Sequence, residues 1–302
     1  MRKKKTVLPW EHPKLQEEDP QSLELIKTVM KSPTYKMAEK DVDFINSYEA
    51  RGIRLELDYL KAELKMKEYG IEHTIVVFGS ARIVEKETAM KRLSDIQAML
   101  QKKPNDRDLL HELYVAERMV GKSIYYDDAR KLGQLVGQSR KNPDDCHVTV
   151  MTGGGPGIME AANRGAYDVG AKTIGLNIKL PHEQYPNPYV TPDLCFLFHY
   201  FAVRKLHFLN RAKALVVYPG GFGTFDELFE TLTLIQTKKA EEIPIVLVGK
   251  SYWEKAIDFE FLKDEGVIAS EDLKIFKFAD NAIEAWEYIL AWHKKRGKPL
   301  FS

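Results

Sequence analysis

Cysteine is nearly absent from this chain of 302 residues: only Cys146 and Cys195 occur, far apart and outside any Cys-x-x-Cys pair. That excludes a disulfide scaffold and a cysteine-based zinc site, and it fits a reducing cytoplasm. Net charge is equally scarce. With 45 Lys and Arg against 44 Asp and Glu, the formal balance is +1, so no global field draws the chain to a nucleic acid polymer. The basic start, Arg2 to Lys5, reads as a solvated tail. No apolar run approaches a membrane span, and the N-terminus lacks the apolar core of a signal peptide. The expectation is therefore a soluble, cytoplasmic protein with no membrane partner. Several catalytic patterns are missing as well. The eight histidines form no HExxH or similar spacing, so no metal is expected. Without a Gly-x-Ser-x-Gly elbow there is no case for a serine hydrolase. The dinucleotide fingerprint fails too: counted from Gly153 its sixth position is Ile158, and from Gly221 it is Asp226, whose charge would crowd a pyrophosphate. Gly249-Lys250-Ser251 imitates the tail of a P-loop, but the first glycine of that motif would have to stand at Pro244.

What is present is a hydrophobic content of 44%, enough for a large core, arranged as short apolar runs that alternate with helical patterns. Strands are expected at residues 71–78, 147–151, 173–177, 194–199, 214–218, 243–248 and 275–278. Helices are expected at 23–30, 37–68 with an interruption at Gly52, 125–139, 158–169, 200–211, 224–238, 253–262 and 281–292. Such alternation implies a parallel sheet covered on both faces, an α/β doubly wound, Rossmann-like fold. Residues 1–70 read as an N-terminal helical extension and 71–302 as the nucleotide-binding domain. A charged helical hairpin, about 85–122 and broken near Pro104-Asn105-Asp106, is inserted after the first strand.

In such a sheet ligands bind beyond the C-terminal strand ends. Three of those ends carry small residues: Gly79-Ser80-Ala81-Arg82, the run Gly153-Gly154-Gly155-Pro156-Gly157, and Pro219-Gly220-Gly221-Phe222-Gly223-Thr224. Glycine turns opening into helices present backbone N–H groups and the positive end of the helix dipole to an anion. Thr224 sits where a helix N-cap belongs, with Glu227 three residues on, which makes a capping box. Asp226 and Glu227 are then either helix-start carboxylates that complement the dipole or functional groups.

At these residues the chain resembles the LOG family, phosphoribohydrolases often mislabelled "lysine decarboxylase". The signature PGGxGTxxE is similar to Pro219 through Glu227, GGGPGIMEAANRGA stands at Gly153 to Ala166, and an Arg-Lys pair stands at Arg204-Lys205. The loop from Leu176 to Tyr189 looks like the longer bacterial branch. The resemblance implies hydrolysis of the N-glycosidic bond of nucleoside 5′-monophosphates, such as a cytokinin nucleotide or AMP, to free base and ribose 5-phosphate. It implies Arg204 and Glu227 as the catalytic pair. It also implies phosphate or substrate contacts from Gly79, Ser80, Arg82, Gly154, Gly155, Lys205, Gly220, Gly221, Gly223 and Thr224. Met159 and Glu160 would meet the base, although core packing accounts for Met159 equally well. No cofactor is implied, and a homodimer or larger homo-oligomer is. Two other readings compete. Molybdenum-cofactor carrier proteins share the fold and the glycine turns without catalysis. A decarboxylase would need a pyridoxal phosphate lysine; Lys205 is the sole lysine near the motifs and reads more simply as a helix-surface charge.

Overall fold

The computed structural model describes residues 12–14, 17–140, 147–181 and 185–301; the basic stretch Arg2 to Lys5 and Cys146 lie outside the described residues. Packing divides the chain into two units, Met1–Leu57 and Asp58–Ser302. The first holds α1 (Ser22–Met30), two single 3-10 turns, α2 (Val42–Ile45) and the beginning of α3 (Arg51–Glu68). The sequence pattern places one interruption at Gly52. The structure instead breaks the helical run at residues 46–50 and carries Gly52 inside α3. The guanidinium of Arg54 donates to the carbonyls of Ile45 and Ser47, which the break leaves without helical partners.

The second unit is built on seven parallel strands. β1 (His73–Phe78) is followed by the hairpin α4 (Lys86–Lys102) and α5 (Arg107–Lys122), then by α6 (Ile124–Gln138). Asp106 ends the hairpin loop by accepting from the N–H groups of Asp108 and Leu109 at 3.1 and 3.2 Å, an N-cap for α5. Next come β2 (Val148–Thr152), α7 (Ile158–Asp168), β3 (Thr173–Ile178), β4 (Cys195–Phe198) and α8 (Phe201–Asn210). The chain then crosses to the other half of the sheet with β5 (Ala212–Val217), α9 (Phe222–Gln236) and β6 (Ile245–Val248). It closes with α10 (Lys250–Ala256), α11 (Phe259–Asp264), β7 (Phe276–Ala279) and α12 (Ala282–Lys295). The single helix expected at 253–262 is thus two. Asp258 accepts from Phe261 N–H at 2.9 Å, and that side-chain cap starts a new helix where the pattern alone suggests continuation.

The strand order is β4-β3-β2-β1-β5-β6-β7, with every pair parallel. Ile75, Val77, Val150, Ala214, Val216 and Val246 point into a core with α6, α7 and α12. Their neighbours Val76, Met151, Leu215, Val217 and Leu247 are just as buried on the opposite face. Burial on both faces is why the strands read as unbroken apolar runs. No described helix is long and apolar enough to cross a membrane.

Candidate active site

The strand order reverses between β1 and β5, so the crevice of this sheet opens beyond their C-terminal ends. All three glycine turns arrive there and are bonded to one another. Ser80 N–H donates to Pro219 O at 2.9 Å, Tyr218 N–H to Phe78 O at 2.9 Å, and Ile158 N–H to Ser80 O at 3.1 Å. Gly157 has a φ of 74°, and a Cβ there would lie 2.4 Å from Ser80 O. Only glycine lets these two turns approach so closely. Between the turns lies a cleft of about 640 Å³.

One wall is the start of α9. The capping box does not form. The helix begins at Phe222, two residues ahead of Thr224, with Gly221 as its N-cap and no side-chain cap. Glu227 is therefore in the second turn and cannot reach back to an N-cap N–H. The physical reason lies in Gly220, where a Cβ would be 2.1 Å from Thr224 Oγ1: the threonine folds over the glycine instead of capping the helix. In the first turn of α9 the Thr224 N–H bonds back to Gly221 O at 2.9 Å, which leaves the N–H groups of Phe222 and Gly223 before it for a ligand, and Gly221, Phe222, Gly223 and Thr224 all line the cleft.

Opposite stands Arg204 on α8, sandwiched with its guanidinium carbon 4.8 Å from the Phe201 ring and 5.5 Å from that of Phe208. Its Nη2 lies 3.5 Å from Glu227 Oε1, too long for a good charge-assisted hydrogen bond. Its Nε is buried with no hydrogen-bond partner. Both side chains are nearly enclosed, at 13% and 7% exposure. Burial pushes the Glu227 carboxyl up to about 7, against the opposing pull of Lys205 and Arg204, and burial also lowers Arg204. A loosely matched buried pair with a spare donor, and a carboxyl pushed towards neutrality in a cleft, marks this place as a candidate active site.

α8 is held at both ends by the last turns of α3, a role no motif announces. Asp58 Oδ2 accepts from the N–H groups of His199 and Tyr200 at 2.8 and 3.0 Å. His207 stacks on Tyr59, with ring centroids 4.7 Å apart, and its Nε2 lies 3.2 Å from Tyr59 O. Glu63 grips Arg211 in a two-pronged pair at 2.6 and 2.7 Å. The helix carrying Arg204 thereby becomes a rigid support.

Of the residues singled out from sequence, the cleft brings together Gly79, Ser80, Arg82, Met159, Arg204, Gly221, Gly223, Thr224 and Glu227. Gly220 lies beneath Thr224. Gly154 and Gly155 shape the loop from behind: Gly154 N–H donates to Thr152 Oγ1 at 2.9 Å, and the carbonyls of Gly154 and Gly155 accept from the backbone and side-chain amides of Asn187 at 2.9 and 3.0 Å. Glu160 turns away to accept from Tyr126 OH at 2.9 Å. Lys205 does not line the cleft; it pairs with Asp226 and Glu230, the neighbours of Glu227 on α9, at 2.9 and 2.8 Å. Sequence reasoning passed over the apolar lining, Ile178, Leu180, Phe201, Phe222 and Phe225. Phe222 is 96% exposed. The signal for it was there: a large aromatic between two glycines, in a turn with no core to bury it.

A family model described as "Possible lysine decarboxylase" matches residues 159–289. The cytokinin riboside 5′-monophosphate phosphoribohydrolase LOG2 of Arabidopsis thaliana is 27% identical over 165 residues, which is 53% of this chain and 73% of that protein. Among solved structures, the Moco carrier protein from Chlamydomonas reinhardtii aligns with a TM-score of 0.43 at 19% identity, over 74% of this chain and 99% of the other. The molybdenum cofactor binding protein of Rippkaea orientalis aligns at 0.39 and 21%, over 56% and 87%. The matched stretch of the family model includes Met159, Arg204 and Glu227 of the cleft, and together with the plant relative it makes this part of the chain similar to the LOG family.

Proposed function

We propose that this protein hydrolyses nucleoside 5′-monophosphates to free base and ribose 5-phosphate, the work falling to residues 71–302. The observation that carries the reading is the buried Glu227 carboxyl, which desolvation pushes up to about 7, lying 3.5 Å from Arg204 in a cleft that opens onto an uncapped helix start. The 5′-phosphate sits at the N–H groups of α9 and the turns of β1 and β5, where Arg82 adds a cation. The base rests among Met159, Phe201, Phe222 and Phe225. As the C1′–N bond breaks, its electron pair leaves with the base and the sugar becomes cationic, as in glycoside cleavage. Ionised Glu227 stabilises that charge and takes a proton from the water that adds to C1′; the base acquires a proton on departure. Arg204 fixes sugar hydroxyls or phosphate through its free donors. The plant relative acts on a cytokinin riboside 5′-monophosphate, which makes that nucleotide and AMP the first substrates to try.

The test is a panel of nucleoside monophosphates with chromatography of the released bases. AMP is expected to turn over far faster than adenosine, because the phosphate site supplies much of the binding. Equal turnover of the two contradicts the phosphate assignment. Nucleotide binding without base release from any member of the panel makes the protein a carrier instead.

We also propose a homodimer or larger assembly in the cytoplasm. Leu60 and Leu64, four residues apart on one face of α3, are 36% and 60% exposed, more apolar surface than a solvated helix carries. Light scattering at micromolar concentration is expected to return at least twice the chain mass; a monomer mass contradicts the assembly.

A further inference from the structure

At the end of the sheet remote from the cleft, three side chains converge that no local spacing groups together. Glu72 and His73 stand where β1 begins, His147 where β2 begins, and His73 N–H donates to His147 O at 2.9 Å. One ligand atom from each of the three lies within 4.8 Å of the other two. His147 Nδ1 is 2.9 Å from Glu72 Oε2, and the two imidazole rings meet edge-on with centroids 4.8 Å apart.

The tautomer of His73 points the same way independently. Its Nδ1 lies 2.8 Å from the carbonyl oxygen of Glu72. A carbonyl only accepts, so Nδ1 carries the proton and Nε2 is left with its lone pair. An imidazole held by an Nδ1–H to carbonyl bond is the form in which histidine binds metals. His73 also lines a cavity of about 590 Å³ together with Lys213, Trp292, Arg296 and Lys298. A coordination position beside His73 would thus have room for water, with cations nearby to favour hydroxide or a bound anion.

We propose that Glu72, His73 and His147 bind one divalent transition metal ion of the zinc type, with water completing the shell. Two imidazoles and a carboxylate suit zinc, cobalt or nickel, and not magnesium or calcium, which prefer oxygen ligands alone. Ligand atoms around a tetrahedral zinc stand about 3.3 Å apart, as bond lengths of about 2.0 to 2.1 Å require. The His147–Glu72 contact needs to open by a few tenths of an ångström, with the ion replacing the proton shared between them. The third ligand moves in by rotation of side chains that are only partly buried. The ion would tie the starts of β1 and β2 together and stands apart from the proposed catalytic cleft, so its binding is independent of that reading.

The experiment uses the full-length protein stripped with a chelator and titrated with cobalt(II). The expected result is a visible ligand-field band that saturates near one equivalent and is displaced by zinc but not by magnesium. Glu72→Gln and His147→Gln are each expected to weaken cobalt binding at least tenfold, while His111→Gln, exposed on α5, leaves it unchanged. Melting curves of the metal-free variants establish that they are folded; Glu72 is exposed, so its variant keeps the test alive if a histidine variant does not fold. No band at millimolar cobalt overturns the proposal, as does a band that survives the His73→Gln, His147→Gln double change.

Discussion

Glu227→Gln is expected to lower base release at least about a hundredfold while nucleotide binding persists. Because Glu227 lies in the second turn of α9 and caps nothing, the swap removes a charge without removing a helix-end bond. Its stability effect should have the opposite sign from the effect on activity. Burial holds the folded-state carboxyl near 7, above the 4.5 of an exposed glutamate. Folding therefore favours the protonated form. That stabilisation is complete below about 4.5 and is lost as the pH rises through about 7. At pH 8 the wild type carries an ionised buried group at a cost of about 3 kcal/mol at most, taking about 1.4 kcal/mol for each pKa unit. Glutamine has no proton to lose. The variant is expected to melt higher than wild type at pH 8, with the difference vanishing towards pH 4.5. The same ionisation should appear in the wild-type rate, which falls as the pH drops through about 7, since only the carboxylate stabilises a cationic sugar or accepts a proton from water. Melting curves at both pH values and base release across the range check all three statements. A variant with near wild-type turnover would remove Glu227 from the mechanism.

Arg204→Lys should be nearly as damaging, although it keeps the charge. The guanidinium is stacked between Phe201 and Phe208 and reaches into the cleft with donors that Glu227 does not satisfy. A lysine ammonium has neither the flat face for that stack nor a fork for sugar or phosphate oxygens. Turnover is expected to fall about a hundredfold, with kcat affected more than KM if Arg204 acts chiefly in the transition state. The melting temperature should fall only modestly, because α8 is secured by Asp58, Tyr59 and Glu63. Near-full activity in Arg204→Lys would show that a positive charge alone suffices there and that the fork is idle.

The plan of the sheet was legible in the chain because its signals are local. A strand buried on both faces is a short apolar run, and the turn that follows it needs glycine wherever backbones approach within bonding distance. Gly157 over Ser80 and Gly220 under Thr224 are such places, and both stand out in the linear sequence. Helix boundaries were less legible. Asp258 restarts a helix that the apolar pattern carries straight through, and Gly52 sits quietly inside α3.

The sequence by itself determined the alternation of strands and helices, the three glycine turns and the identity of Arg204 and Glu227. Tertiary structure alone decided what those residues can do. Whether Glu227 is a cap or a buried acid depends on where α9 begins, and that depends on how Thr224 packs over Gly220. The ionisation of Glu227 follows from the desolvation imposed around it, which no spacing encodes. Lys205 neighbours Arg204 in sequence, yet successive residues on a helix point to different faces, so it pairs with Asp226 and Glu230 instead of entering the cleft. The hold of α3 on α8 joins residues about 140 positions apart. Charge, burial and ion pairing are properties of neighbours in space, and the fold chooses those neighbours.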